Sequence, residues 1–361
     1  MGAKTRESNI ELLRIVAMFL VVLSHFYVHG QWPLMDSVGV NNVVRYALDV
    51  GEIGVTTFVL ISGYFLINQS FDLIKLSKLV LQMWFYGVGL LIFAYVFDTR
   101  VITAKHFWGS IMPFNSLNWF AKAYLLLYLL FPLLNVGIKR LSEKSLKRFI
   151  LGFGFLWTVL PVLSLYEHGN QRVTIMFIYC VGAYFCLFGC KWFDNPLGKI
   201  RAISLMAVSY SIIVFTVVVL WKLSLKDANY VGKEASFLSL NSVLVLLCGI
   251  GLFYLFKKIK LESALINKIA KTMFGVYLIH DNALISAWMW NGVLKIGQYY
   301  DSAFLIPISV LCSILVMVVC SSMDYLRIVF VEKPVFSVII PMLSDLQNKL
   351  ALRMKIIRNT K

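Results

Sequence analysis

The sequence predicts an all-α protein that crosses a membrane about ten times. It is 60% hydrophobic and only 14% charged, and its mean hydropathy is +0.79. A soluble domain of 361 residues would need many more charged residues to cover its surface. A transmembrane barrel would show short segments of alternating polarity, whereas this chain has long continuous apolar runs. We therefore expect a polytopic bundle of transmembrane helices.

Ten apolar segments account for these crossings, and each is close to the roughly 20 residues that a helix needs to span the hydrocarbon layer. An even number of crossings puts both chain termini on one side of the membrane. Most of the 34 Lys and Arg residues then lie on that side, which the positive-inside rule makes cytoplasmic. The predicted segments are residues 9–28, 51–69, 77–97, 118–136, 148–166, 173–190, 202–221, 237–256, 272–291 and 303–322.

The strongly basic charge follows from this topology. The formal net charge is +16, which suits the anionic lipid headgroups of a bilayer. Because the basic residues flank the membrane segments, no nucleic-acid partner is expected. The six cysteines lie in or beside apolar segments without a C-x-x-C pair, so neither a disulfide framework nor a metal is expected.

The chain is predicted to form one membrane domain followed by a short tail. Residues 1–340 contain all the predicted spans, and no soluble domain or tandem repeat is evident among them. Residues 341–361 are basic and amphipathic, which predicts a helix lying on the inner leaflet. A solvated, frayed terminus is the alternative for this tail.

The first predicted span, ELLRIVAMFLVVLSHF, carries an arginine and a histidine on one helix face. Arg14 and His25 are eleven residues apart, and at 100° per residue this spacing returns to within about 20° of the same direction. They are separated by about 16 Å along the helix axis. Ionisable groups in a bilayer usually face protein or water, so the pair predicts a site for an anionic group and a proton. The alternative is an arginine that snorkels to the headgroups and a histidine near the far interface.

Two further pairs of polar residues lie in other predicted spans. Asp49 and Glu52 lie near the outer end of the second span, where a carboxylate could orient an imidazole and raise its basicity. Solvated helix-cap residues are the alternative for this pair. His280 and Asp281 fall inside the ninth span, which predicts a polar cavity or a second group that handles protons.

Basic and acidic residues near the inner surface form a second set of candidates. Lys75 and Lys78 lie one helical turn apart after the second span, where they could bind phosphates as point charges. The alternative is that these lysines only flank a membrane span on its cytoplasmic side, as the positive-inside rule predicts. Glu332 belongs to a VEKP segment after the tenth span. The sequence has no phosphate-binding glycine loop, H-E-x-x-H or G-x-S-x-G motif, so the familiar soluble nucleotide and hydrolase sites are excluded.

Together these residues resemble the acyltransferase-3 family of integral membrane acyltransferases. The resemblance rests on Arg14-x10-His25 in the first span and on GVTTFVLISGYFLI in the second. Further pieces follow in the family's order, namely the basic turn at Lys75 and Lys78, NWF opening the fourth span, FGVYLIH in the ninth and VEKP after the tenth. These pieces extend over most of the chain.

The resemblance implies a ten-helix bundle in a bacterial cytoplasmic membrane. Its activity would be transfer of an acyl group, commonly acetyl, from cytoplasmic acyl-CoA to an acceptor across the membrane. The usual acceptors in the family are hydroxyls of cell-surface polysaccharides or lipid-linked glycans. Many members also carry an SGNH-type extracytoplasmic domain, and we expect any such partner here to be a separate protein.

The resemblance also implies roles for particular residues. On the family's pattern, His25 is the motif histidine and Arg14 the motif arginine. Lys75 and Lys78 stand where most other members have arginine. The residues that we expect to bind substrate or to support the site are Asp49, Glu52, Trp119, His280, Asp281 and Glu332.

The leading hypothesis is O-acetylation of a glycan, with His25 as general base and with Arg14, Lys75 and Lys78 on the anionic groups of acetyl-CoA. An acyl-histidine intermediate on His25 is the competing route. The alternative from another class is an exporter of a lipid-linked sugar or small metabolite. The sixth span has no counterpart of Arg14 and His25, which counts against a transporter of two inverted halves. A glycan polymerase would carry a large, arginine-rich outer loop, which this sequence lacks.

Overall fold

The structure is a computed structural model that describes residues 7–30, 32, 40–115, 118–163 and 169–359, without the side chains of 346, 348 and 350–359. Within these ranges the chain is helical or in turns and contains no strand, which confirms the all-α prediction. The α-helices, in chain order, are α1 (Ser8–His29), α2 (Val40–Ala47), α3 (Gly51–Leu66), α4 (Leu73–Val96), α5 (Ala104–Ile111), α6 (Trp119–Arg140), α7 (Glu143–Gly154), α8 (Leu160–Leu163), α9 (Gln171–Phe188), α10 (Gly198–Ser224), α11 (Val243–Lys257), α12 (Ala264–Ala270), α13 (Met273–His280), α14 (Leu305–Arg327) and α15 (Lys333–Asn359).

Nine helical segments of the described chain are long and apolar enough to cross a membrane. They match nine of the ten predicted spans, and several are longer than predicted because they include short flanking helices. One example is Val40–Leu66, which joins α2 and α3. The end of the predicted fifth span, residues 164–166, lies outside the described residues.

The prediction of a continuous helix over residues 272–291 is wrong. Helix α13 ends at His280, and a π-helical turn follows only at Trp288–Val293. The cause is local, because the Asn282 side chain accepts a hydrogen bond from the backbone N–H of Leu284 at 3.0 Å and so competes with helical pairing. The broken segment nevertheless extends along α1. The backbone N–H of Ser263 donates to Ser8 Oγ at the start of α1, and Asn291 Nδ2 donates to the His29 carbonyl at its end.

Helices α1 and α3 form the centre of the bundle. α1 packs against α3, α11, α12, α13 and α14, while α3 also packs against α9 and α11. The close approach requires glycine, because a Cβ on Gly54 would lie 2.3 Å from the Ala17 carbonyl oxygen and one on Gly63 would lie 2.3 Å from that of Tyr179. The apolar second segment therefore occupies the core, with α1 held along one of its sides.

Helix α14 continues through a π-helical turn at Ile328–Glu332 into α15. Glu332 lies at the end of this turn, and the proline of VEKP is the second residue of α15, directly after it. The predicted tail from residue 341 is a continuation of α15 as far as Asn359. Its last two residues lie outside the described part of the chain.

Candidate active site

A cluster of three ionisable side chains surrounds the far end of α1. His25 lies one turn before the end of α1, and His280 and Asp281 lie where α13 stops. His25 Nδ1 is 2.8 Å from His280 Nε2, and His25 Nε2 is 3.6 Å from Asp281 Oδ1. The break after His280 thus brings an imidazole and a carboxylate against His25.

The hydrogen-bond chain determines which nitrogen of neutral His25 has the lone pair. His280 Nδ1 is 2.6 Å from the Val276 carbonyl oxygen, which can only accept, so Nδ1 carries the proton. His280 Nε2 is then the acceptor, and the Nδ1–H of His25 donates to it. The lone pair of His25 therefore lies on Nε2, on the side of Asp281. This arrangement orients a general base and places a carboxylate where it stabilises the imidazolium.

We use the name His25 cavity for a volume of about 900 Å³ that His25 lines together with the N-terminal half of α3. Asp49 is held in its wall by a hydrogen bond from Ser24 Oγ. Glu52 also lines it, and its Oε2 is buried without a hydrogen-bond partner among the described residues. The remaining polar lining residues include Ser239, Asn170, Gln171, Arg172 and Asn241.

A separate volume of about 670 Å³, the Arg14 cavity, lies at the other end of the same helix. Arg14 lines it with its guanidinium over the Phe58 ring at 5.7 Å, and Glu11 is the acidic neighbour at 3.8 Å. The Nε of Arg14 is buried and makes no hydrogen bond to the described residues. The other basic residues that line this cavity are Lys75, Lys78, Lys271, Arg327 and Lys333.

A buried ion-pair network forms one wall of the Arg14 cavity. Arg327, which is 4% exposed, donates to Asp324 at 2.7 Å and to Glu332 at 3.0 Å. Asp324 is fully buried and also accepts from Gln82 Nε2. Glu332 pairs in addition with Lys78 at 3.2 Å. The network neutralises Arg327 and ties α14 to α4, so its first role is to hold the wall of the cavity in place.

A narrow apolar constriction, the neck, lies between the two cavities. Its volume is about 10 Å³, about that of one water probe. Phe58 lines both the neck and the Arg14 cavity, while Val21, Val55 and Tyr277 line both the neck and the His25 cavity. The backbone N–H of Phe120 donates to Tyr277 Oη at 3.2 Å and fixes that wall. The three volumes therefore follow one another along α1.

The structure places the predicted residues in two groups. Arg14, Lys75, Lys78 and Glu332 line the Arg14 cavity. His25, Asp49, Glu52 and Trp119 line the His25 cavity, with Asp281 in ion-pair distance of His25.

Two sequence interpretations of individual residues differ from this geometry. The sequence assigned the carboxylate beside His25 to Asp49 or Glu52, whereas Asp281 provides it. The sequence suggested His280 as a second group that handles protons, but it is fully buried and both of its ring nitrogens are hydrogen-bonded. We therefore describe it as the residue that orients His25.

Three residues of the site were not predicted from the sequence. Asp324 and Arg327 were detectable, because an acid and a base three residues apart at the end of an apolar run indicate a buried ion pair. Tyr277, which lines the neck, has no such pattern. Its position depends on the packing of α13 against α1 and α6.

Comparison with known families identifies the chain. The profile of a family described as an acyltransferase domain matches residues 7–325 of 361. The chain belongs to the acyltransferase-3 family. The match extends from the start of α1 almost to the end of α14. It includes all the residues that line the His25 cavity and the neck, and most of those that line the Arg14 cavity, whereas Arg327, Ile328, Glu332 and Lys333 lie beyond it. Comparison with curated proteins and with solved structures finds no match.

Membership of this family, together with the transmembrane helices, establishes a multi-pass membrane acyltransferase. The family match therefore favours an enzyme over an exporter, which the ionisable residues in the predicted spans alone also allowed.

Proposed function

We propose that this acyltransferase moves an acetyl group from acetyl-CoA in the Arg14 cavity to a hydroxyl of a cell-surface or lipid-linked glycan in the His25 cavity. The membrane would be a bacterial cytoplasmic membrane, with the Arg14 cavity on its cytoplasmic side. The observation that carries the proposal is the order of the three volumes along α1. The basic cavity suits the anionic end of the donor, and the cavity with a histidine base suits the acceptor hydroxyl. The apolar neck lies between them, where the thioester arm of the donor would pass.

The Arg14 cavity has the chemistry that the donor requires. Coenzyme A carries phosphate groups on its nucleotide end, and guanidinium and ammonium groups bind phosphate through charge-assisted hydrogen bonds. The buried Nε of Arg14 makes no hydrogen bond to the described residues and has only the Glu11 carboxylate at 3.8 Å, and Lys75 and Lys78 line the same cavity. A volume of about 670 Å³ falls in the range of known ligand pockets.

The neck lies where the thin, extended arm that joins the phosphates of coenzyme A to its thioester would pass. At about 10 Å³ it is too narrow for this arm, so donor binding must displace the side chains that line it. The nucleotide end is much wider than the neck and would remain in the Arg14 cavity. This division lets the thioester approach His25 while the charged end of the donor stays bound near Arg14.

The chemistry follows from the lone pair on His25 Nε2. This nitrogen takes the proton of the acceptor hydroxyl as the oxygen attacks the thioester carbonyl carbon, and the new C–O bond forms a tetrahedral intermediate. The carbon–sulfur bond then breaks, and the leaving thiolate receives the proton from Nε2. Asp281, at 3.6 Å, stabilises the imidazolium that exists between these steps. His280 keeps the ring in the correct tautomer throughout.

The same geometry favours this direct route over an acyl-histidine intermediate. An acyl group on Nε2 would have to fit into the 3.6 Å gap between His25 Nε2 and the Asp281 carboxylate, whereas a proton fits there without displacing either side chain. Rapid chemical quench with labelled acetyl-CoA in the absence of acceptor separates the two routes. We expect no label on His25, and stoichiometric label on it would establish the acyl-enzyme route.

The His25 cavity has the polar lining that a sugar requires. Asn170, Asn241 and Ser239 offer donors and acceptors, and Glu52 offers a buried oxygen that has no hydrogen-bond partner in the described part of the chain. Trp119 provides an aromatic face at the edge. Mixed amide, hydroxyl and carboxylate groups beside an aromatic ring recognise the hydroxyl-rich faces of glycans.

The proposal is tested in membrane vesicles that contain the protein and its glycan acceptor. Labelled acetyl-CoA is supplied, and both coenzyme A release and label on the glycan are measured. The wild type should give both products in equal amounts. His25→Ala should give neither, whereas the matched variant His106→Ala, which changes a half-buried histidine on α5 that lines neither cavity, should behave as wild type. Release of coenzyme A without glycan acetylation would contradict the proposed acceptor, and full activity of His25→Ala would contradict the proposed base.

A further inference from the structure

The end of α1 holds a second histidine that the proposed reaction does not use. His29 lies one turn after His25, and its Nε2 is 3.4 Å from the same Asp281 oxygen that His25 faces. The ligand atoms of His25, His29 and Asp281 all lie within 4.8 Å of one another. Two histidines spaced i, i+4 on one helix face, together with a carboxylate, form a set of ligands for a transition metal.

We propose that these three residues form a Zn²⁺ site and that zinc binding inhibits acyl transfer. The inhibitory role depends on the proposed function, because the metal would occupy the Nε2 lone pair that the base requires. The binding itself does not depend on it.

The distances are close to those of a tetrahedral zinc centre. Zinc binds imidazole nitrogen at 2.0–2.1 Å and carboxylate oxygen at 2.0–2.2 Å, so neighbouring ligand atoms lie about 3.3 Å apart. The two distances to Asp281 Oδ1, 3.6 and 3.4 Å, need only small changes. The two histidine nitrogens lie within 4.8 Å of each other, so side-chain rotation must bring them about an ångström closer.

The surroundings of His25 match those of a metal-bound histidine. Metal-ligating histidines usually donate their other ring N–H to a fixed acceptor, which sets the tautomer and the ring orientation. His25 Nδ1 donates to His280 Nε2 at 2.8 Å, and His280 is itself held by the Val276 carbonyl. The Nε2 of His25 is therefore already presented as a ligand. His29 Nε2 must lose its proton or transfer it to Nδ1, since it now donates to Asp281.

The site is accessible and leaves a fourth position open. His29 and Asp281 line a further volume of about 410 Å³, the His29 cavity, and Trp119 lines both this and the His25 cavity. The side chain of His25 is 16% exposed, that of His29 is 27% exposed and that of Asp281 is 13% exposed. Arg100, which also lines the His29 cavity, donates to the Ala283 carbonyl at 2.7 Å. Three protein ligands with a fourth position open to water are typical of catalytic zinc sites.

The binding test uses the full chain, purified in detergent without a histidine tag and freed of metal with a chelator. Equilibrium dialysis against Zn²⁺ followed by metal analysis should give one zinc per wild-type chain. His29→Gln and Asp281→Asn should each weaken this binding by about 100-fold or more, since loss of a supporting partner alone costs 10–100-fold. The control His106→Gln should bind as wild type. Equal zinc affinity of the wild type and both ligand variants would overturn the site.

The functional test compares each protein with its own rate in the absence of zinc. Zinc should inhibit coenzyme A release by the wild type, and a chelator should restore the rate. His29→Gln should tolerate at least about 100-fold more zinc. Stimulation by zinc, or inhibition of His29→Gln at the wild-type concentration, would overturn the inhibitory role. If the protein does not use acetyl-CoA at all, the binding measurement still decides whether the metal site exists, so the two failures are distinguishable.

Discussion

The two large cavities lie against the same helix but differ in charge. The Arg14 cavity is lined by six basic residues and two acidic ones, Glu11 and Glu332. The His25 cavity contains Asp49 and Glu52, with Arg172 as its basic residue. A single face of α1 thus runs from a cavity suited to anions to a cavity suited to polar, uncharged groups. The comparison indicates that Arg14 and His25 have separate tasks, although sequence spacing alone suggested one shared site.

The way in which each cavity is held also differs. The wall of the Arg14 cavity depends on ion pairs between Arg327, Asp324 and Glu332, which span α14 and the turn after it. The histidine cluster instead depends on a chain of hydrogen bonds from His25 through His280 to the Val276 carbonyl. Arg327 is also hydrogen-bonded to both carboxylates, at 2.7 and 3.0 Å, so short polar contacts hold both cavities. We therefore expect the neck between them to adjust when the donor binds and the base to remain in place.

The largest effect is expected from removal of the base. His25→Ala should lower kcat by about 10²–10⁴-fold, the usual contribution of general acid–base catalysis, with the KM for acetyl-CoA close to wild type. Steady-state coenzyme A release measures both constants. A large rise in KM with kcat retained would show that His25 binds the donor and would remove the distinction between the cavities.

The next effect tests whether the neck connects the cavities. Val55 is 6% exposed and lines both the neck and the His25 cavity. Val55→Trp should fill the passage and lower kcat by about 100-fold, because a misplaced thioester loses the benefit of its orientation. Acetyl-CoA should still bind, as measured by equilibrium dialysis.

The matched variant Val55→Ala enlarges the neck and should retain activity. Size-exclusion profiles of both variants check that they fold. Transfer at the wild-type rate by Val55→Trp would mean that the thioester reaches His25 by another path.

A smaller effect, on donor binding alone, is expected from the removal of the Arg14 side chain. Arg14→Ala should raise the KM for acetyl-CoA by about 10- to 100-fold, since a hydrogen bond to a charged group contributes about 1.5–3 kcal/mol. The value of kcat at saturating donor should change little. Arg140→Ala, an exposed arginine at the end of α6, is the control. A fall in kcat without a change in KM would place Arg14 in the chemical step.

The smallest effect is expected from the exposed lysine at the rim of the Arg14 cavity. The side chain of Lys75 is 53% exposed and lies 3.7 Å from Asp72. Solvent screens such a charge, so Lys75→Gln should raise the KM for acetyl-CoA by no more than about 5-fold. The difference from wild type should shrink further at 0.5 M salt. A loss as large as that of Arg14→Ala would make Lys75 a principal phosphate ligand.

Much of the fold and half of the site could be predicted from the sequence. Nine of the ten spans were predictable because long apolar runs have few alternatives in a membrane protein. The shared face of Arg14 and His25 was predictable because it depends on helix geometry alone.

Other features depend on contacts between distant parts of the chain and were not predictable. The partner of His25 is Asp281, 256 positions away, and only the packing of α13 against α1 brings them together. The break in the ninth span depends on one side-chain hydrogen bond of Asn282, which composition over a 20-residue window does not reveal. Neither cavity has a sequence pattern, since each is lined by residues from several helices.

The central claim is that Arg14 holds the donor and that His25 acts on the thioester about 16 Å away. Equilibrium binding of a non-hydrolysable acetyl-CoA analogue to the two purified variants tests it most directly. We predict that His25→Ala binds the analogue with wild-type affinity and that Arg14→Ala binds it about 10- to 100-fold more weakly. Weak binding by His25→Ala together with wild-type binding by Arg14→Ala would contradict the account.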